Sequence, residues 1–105
     1  MIIYLLGKEI GLVKVEDNAD KLDTNAAGLA AYDENKAYFN GNDSYQTCLH
    51  EIFHFYIYRI GLRQQQSYTK EIACDLFAAC ISQLMDENGN DILERIKSFS
   101  NTREV

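Results

Sequence analysis

The sequence predicts an α+β fold in which a small antiparallel sheet, made from N-terminal strands and a hairpin, packs against two main helices plus a short C-terminal helix. Two observations carry that expectation. Strand-like segments come first and helical ones afterwards, and that order places helices together on one face of a sheet. The chain is also short, 105 residues of which 47% are apolar, which supports one modest core and a single domain over 1–105.

The elements follow in order. "IIYLLG" and "LVKVE", around Gly7 to Gly11, are rich in branched residues and read as paired strands. "VEDNADKLDTNA" is polar and loop-like, with room for one helical turn. "GLAAYDENKAYFN" reads as a hairpin with strands at 28–32 and 36–40, and Asp33, Glu34 and Asn35 supply the turn chemistry. Asp43 with Gln46 three residues later is a capping-box signal. Leu49, Ile52, Phe53, Tyr56 and Ile60 then recur at helical spacing until Gly61 ends the helix. After the loop "LRQQQSY", Thr69 is an N-cap for a helix whose apolar stripe is Ile72, Ala73, Leu76, Phe77, Cys80, Ile81 and Leu84, stopping near Gly89. Asp91 with Glu94 opens a last short helix.

Composition narrows the function classes. Asp and Glu outnumber Lys and Arg by 16 to 10, for a formal charge of −6, and no basic run is present to track a phosphate backbone, so direct nucleic-acid binding is not expected. The N-terminal apolar run lacks a basic leader and a cleavage site, and no segment reaches the ~18 apolar residues of a membrane span. A soluble, cytoplasmic protein is expected. Cys48, Cys74 and Cys80 form no CxxC pair and sit in apolar helical contexts, where buried, reduced thiols are expected.

The chemistry lies in "CLHEIFHFYIYRIG", Cys48 to Gly61, which holds the two histidines of the whole chain. His50, Glu51 and His54 spell H-E-x-x-H. Residues four apart on a helix are separated by about 40° around the axis and about 6 Å along it, so both imidazoles can address one ion. Glu51 lies on the same side, placed to take a proton from a metal-activated water. Leu49, Ile52, Phe53, Tyr56 and Ile60 supply a core stripe, which leaves His50, His54 and Ile57 flanking it along a cleft. A solvated pair of surface histidines with a charge between them is the plain alternative.

A catalytic zinc needs a third protein ligand and an open position. No third histidine exists, and the available donors are carboxylates of the next helix, where "KEIACD" sets Glu71 and Asp75 one turn apart. The blander roles are a first-turn acid favoured by the helix dipole for Glu71 and a surface charge for Asp75. Asp75 precedes "LFAAC" and lies near the apolar stripe, so a buried partner is expected for it.

Glu71 to Asp75 resembles the E-x-x-x-D element that follows H-E-x-x-H in glutamate-ligand zincins, the gluzincins. That resemblance implies Glu71 as third zinc ligand and Asp75 as acceptor of a ligand imidazole's N–H. About three quarters of the chain, from "GLAAYDENKAYFN" through "QTCLHEIFHFYIY" to "KEIACDLFAACISQLMDENG", is similar to the short phage and mobile-element metallopeptidases of the ImmA/IrrE type. What this implies is a minimal zincin-like domain binding Zn²⁺ through His50, His54 and Glu71, with Glu51 as catalytic base and a protein or peptide substrate such as a repressor-like regulator. No attached DNA-binding or sensor domain is expected within these 105 residues, so the resemblance implies no particular target.

On this reading the chain hydrolyses a peptide bond, and the strand at 36–40 offers an edge to an extended substrate. An oxyanion partner would come from Tyr45, Tyr58, Tyr68 or Arg63, among which the sequence does not choose. The shape of the cleft depends on loops 17–27 and 61–68. The alternative is a noncatalytic protein that keeps the metal as a staple and binds a phage or host factor.

Overall fold

The computed structural model describes residues 1–15, 27–40, 44–61 and 69–101, and across them the α+β layout holds, strands first and helices after. β1 (Ile2–Leu5) and β2 (Lys8–Val15) pair antiparallel, with Leu5 opposite Lys8. The two residues between them, Leu6 at φ 55 and Gly7 at φ 79, both lie in the left-handed region, which is how a two-residue turn matches the twist of its flanking strands. β3 (Gly28–Ala31) and β4 (Lys36–Asn40) form the expected hairpin, and a 3₁₀ turn over Tyr32–Glu34 and a left-handed Asn35 reverse the chain.

The pairing between the two hairpins differs from expectation. Strand order is β1-β2-β4-β3, and β2 runs parallel to β4, so the sheet is mixed rather than wholly antiparallel. The chain leaves β2 and re-enters the sheet one place further out as β3. The returning β4 then fills the central slot, in the direction of β2. The strand at 36–40 is therefore interior, and β3 is the edge.

Three helices follow: α1 (Ser44–Arg59), α2 (Lys70–Asn88) and α3 (Ile92–Asn101). The Thr69 hydroxyl accepts from the Ile72 N–H at 3.2 Å, as an N-cap should. Asp43 of the expected capping box lies outside the described residues, as do most of residues 17–27 and 61–68, the loops expected to shape a cleft. Ile3 and Leu5 of β1, Ile10 and Leu12 of β2, and Ala37 and Phe39 of β4 turn one face of the sheet inward. Against it stand Cys48, Ile52 and Phe55 of α1, Cys80 and Leu84 of α2, and Ile92 and Ile96 of α3. α1 covers β3 and β4, while α2 covers β1.

The α1 stripe is rotated from the expected one, whereas that of α2 holds at Ala73, Leu76, Cys80, Ile81 and Leu84. On α1 the buried line is Cys48, Glu51, Ile52 and Phe55, and Ile57, expected beside a cleft, is buried as well; Leu49, Phe53 and Tyr56 are half-buried and Ile60 is exposed. This helix is apolar nearly all round because α3 and α2 cover its far side, Phe53 meeting Phe77 edge-on at 5.6 Å. What α1 leaves to solvent is Gln46, His50 and Tyr58, with His54 half-buried between them. On α2, Ile72 and Phe77 remain exposed. Cys74 is exposed too, against expectation, because it points away from the line through Cys80 and Leu84; Cys48 and Cys80 are the buried thiols.

The outer edge of β1 is covered by side chains of α2. Asn88 completes a ladder-like pair with Tyr4, its Oδ1 accepting from the Tyr4 N–H at 2.8 Å and its Nδ2 donating to the Tyr4 carbonyl at 2.7 Å. Glu87 accepts from the Leu6 and Gly7 N–H groups, each at 2.6 Å. From α1, Arg59 donates to the carbonyls of Leu5, Lys8 and Glu9. The β1–β2 turn is thus gripped from both main helices.

Candidate metal centre

The site is built on the middle of α1. The four-residue spacing aligns His50 and His54 on the solvent side, and their Nε2 atoms stand 3.0 Å apart. Glu51, one residue on from His50, faces the sheet and is 6% exposed, whereas the His50 side chain is 66% exposed. The Glu51 Oε1 lies 3.9 Å from the His50 Nε2. One ligand atom from each of the three residues falls within 4.8 Å of the others, and among the described residues this is the group of that kind.

The donor set fits a divalent transition metal. Two imidazole nitrogens held about 2.0–2.1 Å from a tetrahedral zinc stand roughly 3.3 Å apart, close to the separation observed. Without metal, the same contact is a hydrogen bond in which one ring's N–H donates to the other's lone pair. Burial, and then the neighbouring His50, lower the pKa of His54, which keeps a lone pair free for a ligand at neutral pH. Burial raises the pKa of Glu51, against a lowering by the His50 charge. A carboxyl poised above its ordinary range suits a group that must both take and give a proton.

Glu51 owes its position to β3. A Cβ on Gly28 would stand 2.9 Å from the Glu51 Cγ, 2.9 Å from the Thr47 Cγ2 and 3.0 Å from the Glu51 Oε1. The acid therefore lies flat against bare strand backbone, a contact that single-sequence reading had no signal to find, since glycine also serves turns and bulges.

The structure does not bring in the carboxylates of α2. Glu71 and Asp75 are exposed on its first turns, and neither joins the His50–Glu51–His54 group. Asp75 is exposed and, among the described residues, no buried partner is seen for it, the helix's buried line passing through Cys80 and Leu84, half a turn away from the acids. Of the oxyanion candidates, Tyr58 stacks on Tyr32 at 4.1 Å and Tyr45 packs against the core. Tyr68 and Arg63 lie outside the described residues.

No described helix is long and apolar enough to cross a membrane. Comparison of the chain with protein-family models, with curated proteins and with solved structures returns no match.

Proposed function

We propose that this protein is a metal-dependent hydrolase that cleaves a peptide bond in a protein substrate. The observation that carries the reading is the convergence of the His50 and His54 Nε2 atoms, 3.0 Å apart on solvent-facing helix, beside a buried carboxylate. Zn²⁺ held there would act as a Lewis acid, making water more acidic and polarising a carbonyl. His50 and His54 bind as neutral imidazoles. Glu51 accepts a proton from the attacking water and returns it to the leaving amine, the cycle for which its raised pKa suits it.

The edge at β3 supports an extended peptide as substrate. Among the described residues β3 pairs on one side only, with β4, and Gly28 at its start lies close enough to Glu51 that a Cβ there would collide with it. A peptide added to that edge passes its backbone close to the acid. The resemblance to ImmA/IrrE-type metallopeptidases adds a repressor-like regulator as the kind of protein cut, and Glu71 as third ligand, drawn from α2 on loading.

A second reading is favoured by the placement of Glu51 within the group and Glu71 outside it. Glu51 then serves as a ligand itself, the metal is a staple, and the protein acts by binding a partner. Glu51→Gln separates the two. For the hydrolase, turnover of a random-sequence quenched-fluorescence peptide library falls about 10²–10⁴-fold while zinc affinity is kept. For the staple, zinc affinity itself collapses.

A further inference from the structure

We infer that Gly28 is a positioning residue for Glu51, kept without a side chain so that the acid can lie against β3 with its carboxylate beside the histidines. The inference rests on the hydrolase reading for its catalytic consequence, but the contact itself does not. Gly28 carries no left-handed backbone angle and sits in regular register opposite Phe39, so backbone conformation gives no reason for glycine there. In a strand glycine is also an entropically costly choice, because it loses more conformational freedom on folding than any other residue.

What Gly28 does have is crowding. Of the three nearest contacts a Cβ would make, those to the Glu51 Cγ and the Thr47 Cγ2, both at 2.9 Å, are shorter than real Cβ atoms show, and that to the Glu51 Oε1, at 3.0 Å, is tight, so two of the three are to Glu51. Glu51 cannot yield inward, because it is 6% exposed in a line with Cys48, Ile52 and Phe55. A methyl group at 28 must therefore push Glu51 along its own helix face, off its place 3.9 Å from His50. The other contact is the methyl of Thr47, one turn before Glu51 on α1, and removing it relieves one of the two shortest contacts of the added Cβ.

Gly11 provides the internal control. It lies in β2 of the same sheet with no left-handed angle, and its Cβ would come no closer than 3.4 Å, to the Lys36 Cγ. Gly11→Ala thus reports the generic effect of filling a strand glycine, and Gly28→Ala that effect plus the displacement of Glu51.

The test compares Gly28→Ala, Gly11→Ala and Gly28→Ala/Thr47→Ser, the last of which keeps the Thr47 hydroxyl and removes the offending methyl. With zinc-loaded protein and the random-sequence peptide library, Gly28→Ala is expected to lower kcat about tenfold to a hundredfold. Zinc affinity should stay within about twofold of wild type, the histidines being untouched. The double variant should recover part of the loss, since one of the two shortest contacts is relieved, and Gly11→Ala should lose nothing. On a Glu51→Gln background, Gly28→Ala should cost no further activity, since the group it moves is already disabled.

Retention of wild-type kcat by Gly28→Ala, or failure of Thr47→Ser to recover any of the loss, overturns the inference. If the wild-type protein cleaves no peptide, the hydrolase reading fails and the contact is still read in metal-free protein by thermal melting. There Gly28→Ala should melt below Gly11→Ala and Thr47→Ser should restore part of the difference; equal melting of the two alanine variants overturns the inference. If Gly28→Ala does not fold, folding of the double variant supports the contact and its failure to fold refutes it.

Discussion

Burial raises the pKa of Glu51 above the value it has in the unfolded chain, so the fold disfavours its charged form. By linkage, the stability associated with that group is fully present below the unfolded pKa and is lost as pH rises through the folded one. At neutral pH the acid is therefore a stability liability, which the proposed hydrolysis would account for. The neutral isostere in Glu51→Gln is expected to raise the melting temperature of the metal-free protein by about 4 °C, for about 1 kcal/mol, even as it removes the base; scanning calorimetry at pH 7 would check this, and a fall in Tm would contradict it. Leu6 offers a second single-residue gain. Its φ of 55 is one that a leucine seldom adopts, whereas asparagine tolerates it, and the residue lies outside the buried core. Leu6→Asn is expected to stabilise by about 0.5–1 kcal/mol in urea titration. At Cys48 and Cys80 burial pushes the thiols up to about 12, which leaves them inert; Cys74, which is exposed, is the thiol that should label rapidly with maleimide in folded protein.

Between elements, the hold of α2 on the sheet runs through Glu87 and Asn88 at its C-terminal end. Burial pushes the Glu87 carboxyl upward, but the Gly7 N–H, the Gln83 side chain, the Leu6 N–H and the charge of Arg59 together outweigh it and leave the pKa below its ordinary value. The sign is the reverse of that at Glu51. This contribution is present above the unfolded carboxylate range and is lost as pH falls through the folded value. Glu87→Gln should therefore destabilise at pH 7, by about 1 kcal/mol because the group is largely solvent-screened, and the difference from wild type should vanish in acid. Element boundaries were legible in the sequence because they depend on local chemistry, as at Thr69, Gly61 and Asn35. The rotation of α1 was not, because a helix apolar on nearly every side has no hydropathic face to read. Nor was the parallel pairing of β2 with β4, which depends on where the chain re-enters the sheet. At the site the same division holds: His50, Glu51 and His54 follow from spacing along one helix, while the position of Glu71 depends on how two helices are set against each other.

At the scale of the whole molecule, metal binding and the packing of α2 are one question. A metal that binds only the folded state adds about RT ln(1 + [L]/Kd), or roughly 2.7 kcal/mol at a hundredfold excess over Kd, and in a domain of this size that is a large share of total stability. Zinc should therefore raise the Tm by about 10 °C and a chelator should reverse it, with no such response in His50→Ala or His54→Ala. Where the stabilisation appears distinguishes the two donor sets. The first turns of α2 present Glu71, Ile72, Cys74, Asp75 and Phe77 to solvent, so their backbone should exchange hydrogen faster than the C-terminal half, which carries Leu84, Glu87 and Asn88 against β1. If Glu71 closes onto the metal, zinc must slow exchange over residues 70–76 as well as along α1, and Glu71→Ala must abolish the α2 protection and weaken zinc binding. If Glu51 completes the donor set instead, protection stays within α1 and β3, Glu71→Ala is silent, and the exposed start of α2 keeps its metal-free exchange rate. Hydrogen exchange with and without zinc, read by mass spectrometry over those two segments, decides between a ligand set that spans two helices and one confined to a single helix.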